Sequence, residues 1–140
     1  MGGAIKKISI DGFKSIRQLK KFELNDLNII IGANGAGKSN LVQSFQMLMA
    51  MTRKNLQKFI LENGGVDNFL HNGPKETPAI KMEFEFVSRS AYSEGSNSYR
   101  FELTPTVEET FLVNEERKYD ASSWRSYGTP SLESRLCARP

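Results

Sequence analysis

Hydrophobic and polar residues alternate through the first part of the chain, a pattern typical of strands with one exposed face. Ile8 and Ile10 share one face of a strand predicted over residues 4–10, and Asp11-Gly12 carries a turn signal. The stretch KKFEL, at residues 20–24, predicts a second strand at a sheet edge. The pattern therefore predicts two short strands in this part of the chain.

The next segment changes from alternation to an unbroken hydrophobic run and then to a helical period. Residues 27–31, LNIII, end in three consecutive isoleucines, which predicts a strand buried on both faces. A helix is predicted from Lys38 to about Met51, because hydrophobic residues recur there at spacings of three and four. These residues are Leu41, Val42, Phe45, Leu48 and Met49. A shorter helix around residues 56–60 ends at Gly64-Gly65.

Alternation returns in the second half of the chain. The stretches IKMEFEF at residues 80–86 and SYRFEL at residues 98–103 predict two half-exposed antiparallel strands. The segment between them is rich in serine, glycine and asparagine, so we expect a hairpin with a long loop over residues 88–98. The stretch TFLV, at residues 110–113, predicts a third strand.

Composition places few limits on function. A length of 140 residues suits one domain, and a net charge of +3 is too small to identify a nucleic-acid-binding protein. Cys137 is the single cysteine, so the chain cannot form an internal disulfide, and one histidine gives no Cys/His cluster for zinc. No hydrophobic run approaches the roughly 20 residues that cross a bilayer. We therefore expect a cytoplasmic protein with no membrane partner.

The glycine-rich stretch between the predicted buried strand and the predicted helix carries the chemistry. Gly32, Gly37, Lys38 and Ser39 complete the pattern G-x-x-x-x-G-K-S, the phosphate-binding P-loop, in its required strand–loop–helix context. Glycines let successive backbone N–H groups point inward, and the helix N-terminus adds unpaired donors. The lysine reaches the β- and γ-phosphates, and the serine hydroxyl suits Mg²⁺. The predicted nucleotide contacts are Gly32, Asn34, Gly35, Ala36, Gly37, Lys38, Ser39 and Asn40.

A dinucleotide-binding fingerprint is the alternative interpretation of the same stretch. GANGAG, at residues 32–37, partly matches G-x-G-x-x-G, but Asn34 occupies the position where a second glycine must admit the pyrophosphate. Arg53 and Lys54 lie in a helical stretch where a carboxylate on a second strand is needed. The P-loop interpretation is therefore favoured.

Two stretches of the chain resemble a known family. IKKISIDGFKSI, at residues 5–16, and LNIIIGANGAGKSNLVQSFQML, at residues 27–48, are similar to ABC-superfamily ATPase heads of the RecF, SMC and OLD-type branch, often assigned to the AAA-family ATPases. The likeness is close over residues 4–50 and loose over residues 78–113. It implies an α/β fold: an incomplete P-loop NTPase lobe in which the Walker A strand and helix pack with an antiparallel β-subdomain.

The resemblance also implies the ligands and the residues that hold them. It implies a lobe that binds ATP and Mg²⁺, with Lys38 as the catalytic lysine and Ser39 as the metal ligand. It places Lys14 and Ser15, in the FKS turn, near the phosphates or the base. A solvated turn residue is the alternative interpretation of Lys14.

Motifs that such heads need for hydrolysis are missing from the sequence. FLVNEE, at residues 111–116, imitates a Walker B segment but is interrupted by Asn114, and LENGG, at residues 61–65, imitates a signature loop but indicates a helix end. His71 is the sole candidate for a switch histidine and is interpreted as a loop residue. The chain therefore resembles the first lobe of a head.

The last residues support the same interpretation. Residues 120–140 have no helical or strand period, so we expect an irregular tail after an N-terminal lobe at residues 1–119. Relatives tend to carry a stretch like SWRxYHFHD, whereas SSWRSYGTP, at residues 122–130, begins similarly and then diverges. We therefore hypothesise a truncated or frame-altered tail.

Three functions follow from these observations. The first is an ATPase lobe that hydrolyses ATP only with a missing C-terminal lobe and a second head, in a head-to-head homodimer. The second is a non-hydrolysing nucleotide-binding module, or switch, in a DNA-repair or phage-defence assembly with DNA or a protein partner. The third, a small-molecule kinase, is disfavoured by the long segment before the P-loop. Basic residues suited to DNA phosphates, although a solvated surface is favoured, are Lys6, Lys7, Lys14, Arg17, Lys20 and Lys21.

Overall fold

The computed structural model describes residues 4–33, 37–90, 93–120 and 122–136, with the backbone alone at residues 88–90 and 93–94. The predicted site residues Asn34, Gly35 and Ala36 lie outside the described residues. In chain order the elements are β1 Ile5–Phe13, β2 Ile16–Glu23, α1 Lys38–Thr52, α2 Leu56–Glu62, α3 Val66–Phe69, β3 Ile80–Ser90, β4 Ser93–Pro105, β5 Phe111–Tyr119 and β6 Arg125–Ser126.

The strands form one antiparallel sheet in the order β2-β1-β3-β4-β5-β6. The alternating segments all became strands, but two predicted turns were wrong. β1 continues through Asp11 and Gly12, and the chain turns at Lys14 and Ser15 instead. The β3–β4 ladder extends to the pair Ser90 and Ser93, so residues 88–98 do not form the predicted long loop.

One face of the sheet forms the hydrophobic core. Alternation places every second residue of the four long inner strands on this face, where the helices cover it. Burial of these side chains is the main favourable term in folding, at roughly 25 cal/mol per Å² of apolar surface. The most buried members from the strands are Ile8, Ile10, Phe13, Ile80, Met82, Phe84, Tyr99, Phe101, Leu103, Phe111 and Val113.

The opposite face of the sheet is polar, and its charges alternate from strand to strand. Three cations each stand between two carboxylates on the neighbouring strands, an arrangement that stabilises cross-strand pairs. The three rows are Glu23–Lys7–Glu85, Asp11–Lys81–Glu102 and Glu83–Arg100–Glu116. The guanidinium of Arg100 also lies 4.0 Å from the ring centroid of Trp124.

The predicted buried strand at residues 27–31 is wrong for this structure. These residues have no strand conformation, and Leu27, Ile29 and Ile31 expose 78%, 77% and 90% of their surface. A strand buried on both faces needs neighbouring strands and covering layers. Among the described residues no strand pairs with this segment, so the predicted packing of a Walker A strand with the β-subdomain is absent and the sheet is antiparallel throughout.

The helices follow the predicted positions, and α1 buries three of the five residues of its predicted face, fully at Leu41 and Leu48 and partly at Phe45. The hydrophobic residues that α1 buries in the core are Leu41, Met47, Leu48 and Met51. Val42 and Met49, which were also predicted to face the core, are exposed. None of the described helices is long and apolar enough to span a bilayer.

Residues 122–136 contact both the sheet and α2. The Glu133 carboxylate accepts hydrogen bonds from the backbone N–H groups of Leu56, at 3.0 Å, and Gln57, at 3.3 Å, at the start of α2. Ser131 pairs with Val113 of β5, and Leu136 is buried in the core. The predicted boundary after residue 119 stays a prediction.

Candidate nucleotide-binding site

The N-terminus of α1 presents backbone donors that have no partner within the helix. Gly37 is the N-cap of this helix, with a φ of 97°, and as a glycine it has no side chain with which to cap the helix. Its carbonyl accepts the first helical hydrogen bond, from Leu41 N at 2.9 Å. The N–H groups of Lys38, Ser39 and Asn40 therefore have no partner within the helix. Together with the positive end of the helix dipole, they form a site suited to an anion.

The lysine and the serine of the motif lie in the first turn of α1. The ammonium group of Lys38 donates a hydrogen bond to the carbonyl of Gly32, so the lysine side chain reaches back to the first glycine of the motif. Ser39 is exposed, so its hydroxyl is accessible to a ligand. The structure thus brings together Gly32, Gly37, Lys38 and Ser39.

The FKS turn between β1 and β2 lies against the same helix terminus. The side-chain amide of Asn40 donates a hydrogen bond to the Ser15 hydroxyl at 2.6 Å. A Cβ atom on Gly37 would lie 3.4 Å from that hydroxyl oxygen, so the turn and the end of the loop are adjacent. Ser15 is therefore placed beside the loop, as predicted for a residue near the phosphates, although its nucleotide contact stays a prediction.

The Lys14 side chain packs against Phe69 at the end of α3. Its backbone adopts a left-handed conformation, with a φ of 51°, and its ammonium group lies 4.6 Å from the centroid of the Phe69 ring. Burial lowers the pKa of Lys14 below the ordinary value of a lysine, because desolvation disfavours the charged form. The backbone N–H of Lys14 donates to the Phe69 carbonyl at 2.8 Å.

The sequence did not predict that His71 lies beside the turn at Lys14 and Ser15. Its Nδ1 lies 2.6 Å from the Lys14 carbonyl, and its backbone N–H donates to the Gly12 carbonyl at 3.0 Å. The sequence identified it only as a loop residue, because nothing in a pattern of spacing links a loop histidine to a turn more than fifty residues earlier. The structure therefore joins two loops that the sequence treats separately.

The Walker B-like and signature-like stretches do not contribute to this site. Glu115, in β5, is buried on the core side of the sheet. It accepts hydrogen bonds from the hydroxyl of Tyr99, at 2.6 Å, and from the hydroxyl of Ser134. Burial, and then the negative charge of Glu115, raise the pKa of Tyr99. Glu116 pairs with Arg100 on the polar face of the sheet, opposite the core, and residues 61–65 end α2, as predicted.

A magnesium ion needs oxygen ligands, and the described residues offer one suitable hydroxyl at this terminus. Ser39 is exposed in the first turn, where a serine hydroxyl fits a position in the octahedral shell of Mg²⁺. No group of three histidine, cysteine or carboxylate side chains that suits a metal occurs among the described residues. Phosphate oxygens and water would therefore have to supply most of the other ligands, as is common for this ion.

Comparison with known proteins decides the family. A family model described as an AAA ATPase domain matches residues 4–126. The chain belongs to this family. Membership in the AAA ATPase domain family confirms the resemblance predicted from the FKS turn and the P-loop, and it identifies an ATP-binding, ATPase-type domain.

Individual relatives point to the same branch of ATPases. The chain is 36% identical over 113 residues to the chromosome partition protein Smc of Desulfitobacterium hafniense, covering 68% of this chain and 9% of that protein. It is 32% identical over 80 residues to the chromosome partition protein Smc of Myxococcus xanthus, covering 56% of this chain and 6% of the relative. It is also 39% identical over 70 residues to structural maintenance of chromosomes protein 2 of Xenopus laevis, covering 43% and 6%. The chain thus spans less than a tenth of the length of these relatives.

Proposed function

We propose that the chain binds Mg-ATP through residues 32–39 and is the nucleotide-binding lobe of an ATPase head. The observation that carries this proposal is the N-terminus of α1, which follows the N-cap Gly37 and presents the motif residues Lys38 and Ser39 in its first turn. Family membership supports it, because the matched residues include the whole glycine-rich stretch.

Each motif residue has a distinct task in this proposal. The N–H groups of the first turn of α1 bind phosphate oxygens, since they lack partners within the helix. The ammonium group of Lys38 leaves the carbonyl of Gly32 and neutralises charge on the β- and γ-phosphates. The Ser39 hydroxyl holds Mg²⁺, whose chemistry when bound is to neutralise the developing charge on the transferred phosphoryl group. Positioning and charge neutralisation supply the catalytic effect.

We infer that hydrolysis requires further structure beside this lobe. The segment Leu27 to Ile31 is hydrophobic and exposed, and Val42 and Met49 on α1 are exposed as well. A hydrophobic surface of this kind is suited to burial against a further layer of structure. The chain also spans less than a tenth of its relatives. We therefore assign turnover to a head completed by a C-terminal lobe and paired with a second head.

Isothermal titration calorimetry with a non-hydrolysable Mg-ATP analogue tests the binding step. We expect saturable binding by the wild-type chain and a loss of at least about tenfold in affinity for Lys38→Ala, since one charge-assisted contact contributes about 1.5–3 kcal/mol. Lys75→Ala, which removes an exposed lysine from a loop, is the matched control and should bind as the wild type does. The absence of binding by a folded wild-type chain would contradict the proposal.

A steady-state ATPase assay separates this proposal from a nucleotide switch that never hydrolyses ATP. We expect the chain alone to bind without turnover. Turnover that disappears in Lys38→Ala would show that the 140 residues suffice for catalysis. Binding without turnover even after completion with the rest of a head and a second head would favour the switch.

A further inference from the structure

The turn formed by Lys14 and Ser15 is held from two sides by groups that are far away in the sequence. On one side Asn40, in the first turn of α1, donates its side-chain amide to the Ser15 hydroxyl at 2.6 Å. On the other side, Nδ1 of His71 lies 2.6 Å from the carbonyl oxygen of Lys14. These contacts join the start of α1 to the loop after α3 through a single turn.

The conformation of the turn explains why it needs such contacts. Lys14 has a φ of 51°, in the left-handed region that a residue with a side chain seldom adopts. Its N–H donates to the Phe69 carbonyl at 2.8 Å, and Phe13 forms an isolated bridge with Leu70. An unfavourable backbone conformation persists when the surrounding structure over-determines it. The segment that contains Phe69 and His71 does so here.

We infer that Asn40 and His71 are positioning residues that hold the Lys14–Ser15 turn against the phosphate loop. The amide of Asn40 is already engaged with Ser15, so its side chain acts on the turn rather than on a nucleotide. Gly37 is adjacent to the Ser15 hydroxyl, so a displaced turn would also disturb the end of the loop. This inference rests on the proposed function, because the consequence of positioning is nucleotide affinity.

Nucleotide affinity in a double-mutant cycle measures the coupling. With a non-hydrolysable Mg-ATP analogue, we expect Asn40→Ala and Ser15→Ala each to weaken binding by about 3-fold to 10-fold, the effect of losing one hydrogen bond. The double variant should be no weaker than the worse single variant, since both changes remove the same interaction. Gln46→Ala, an exposed change on the same helix, should bind as the wild type does.

A pair of substitutions at His71 separates positioning from general packing. The amide of His71→Asn places a donor near the position of Nδ1, whereas His71→Ala leaves none. We expect His71→Asn to stay within about twofold of wild-type affinity and His71→Ala to weaken binding as Asn40→Ala does. Equal losses in both variants would overturn the role of the Nδ1 contact.

Amide hydrogen exchange in the nucleotide-free chain keeps this test independent of the proposed function. The Lys14 amide, which donates to Phe69, should exchange about tenfold faster in Asn40→Ala and in His71→Ala than in the wild type. If the wild type binds no nucleotide but this exchange rises, the proposed function fails and the positioning stands. If the wild type binds nucleotide and neither affinity nor exchange changes, the positioning fails and the proposed function stands.

Discussion

Gly12 and Gly73 both adopt left-handed backbone conformations, but their surroundings differ. Their φ angles are 77° and 86°, which favour glycine at either position. A Cβ atom at Gly12 would lie 2.5 Å from Cγ2 of Thr77 and 3.0 Å from the Ala79 carbonyl oxygen, whereas one at Gly73 would meet nothing within 4 Å. The pair therefore separates backbone strain from steric overlap.

We expect Gly73→Ala to lower the free energy of unfolding by about 1 kcal/mol, the cost of a left-handed alanine. Gly12→Ala should cost about 2–4 kcal/mol, because overlap with Thr77 and Ala79 adds to the same strain. Urea denaturation measures both values. Thr77→Ser removes the overlapping methyl group and keeps the hydroxyl that donates to the His71 carbonyl, so it should recover part of the loss in the double variant. Equal costs at the two glycines would contradict this account.

Tyr99 makes the free energy of unfolding vary with pH in the alkaline range. Its pKa is raised in the folded chain, so between the ordinary tyrosine pKa of about 10 and the folded value the unfolded chain loses a proton that the folded chain keeps. The stabilisation is complete below pH 10 and is lost as the pH rises. We expect the free energy of unfolding to fall by up to about 1.4 kcal/mol per pH unit more steeply in the wild type than in Tyr99→Phe between pH 10 and 11.

The comparison concerns the slope of the free energy of unfolding against pH, and not its value at any one pH. Tyr99→Phe also loses the hydrogen bond to Glu115, which lowers stability at every pH by about 1 kcal/mol. Burial raises the pKa of Tyr127 as well, so part of the alkaline slope should persist in the variant. Tyr119→Phe removes an exposed tyrosine and serves as the control. Identical slopes in wild type and Tyr99→Phe would rule out the role of Tyr99.

At the scale of single residues, the sequence predicted which side chains form the loop but not which ones touch it from elsewhere. Lys38 and Ser39 follow from a fixed spacing whose chemistry is known. The contacts of Asn40 with Ser15 and of His71 with Lys14 depend on how distant loops meet, which a local pattern does not contain.

Among the strands and helices, too, the local pattern was predictive only where the rest of the chain supplied the expected neighbours. The sequence pattern located β1 to β5 but not their ends, because a strand with one buried face needs only the sheet and one covering layer, which this chain contains. The hydrophobic run at residues 27–31 indicated burial on both faces, yet burial also requires neighbouring strands. Periodicity thus predicts the tendency to be buried, and the rest of the fold decides whether the tendency is met.

Matched isoleucine substitutions test whether residues 27–31 are exposed in solution. Ile31 is 90% exposed and Ile10 is 1% exposed. We expect Ile31→Ala to change the free energy of unfolding by less than about 0.5 kcal/mol, and Ile10→Ala to lower it by about 2–5 kcal/mol. Chemical denaturation followed by circular dichroism checks both values. A large loss for Ile31→Ala would show that the segment is buried in solution.

The whole molecule has one face covered by helices and one face of alternating charge. On the open face six carboxylates surround Lys7, Lys81 and Arg100, so a DNA backbone would meet repulsion there. The basic residues of β1, β2 and the turn between them differ in exposure. Lys7, which pairs with Glu23, and Lys14, which packs over Phe69, are both partly buried. The four that are exposed are Lys6, Arg17, Lys20 and Lys21.

This distribution limits how strongly the chain binds DNA. If DNA binds through these four cations, they neutralise at most about four phosphates, so a plot of log affinity against log salt should have a slope of about −4 or shallower, with no measurable binding near physiological salt. Fluorescence anisotropy with a short labelled duplex, titrated at several NaCl concentrations, measures the slope. The double variant Lys20→Glu/Lys21→Glu should abolish the weak low-salt binding, whereas Lys58→Glu/Lys75→Glu, which changes the net charge equally, should retain most of it. A slope steeper than about −6 would require a larger basic surface than these residues provide.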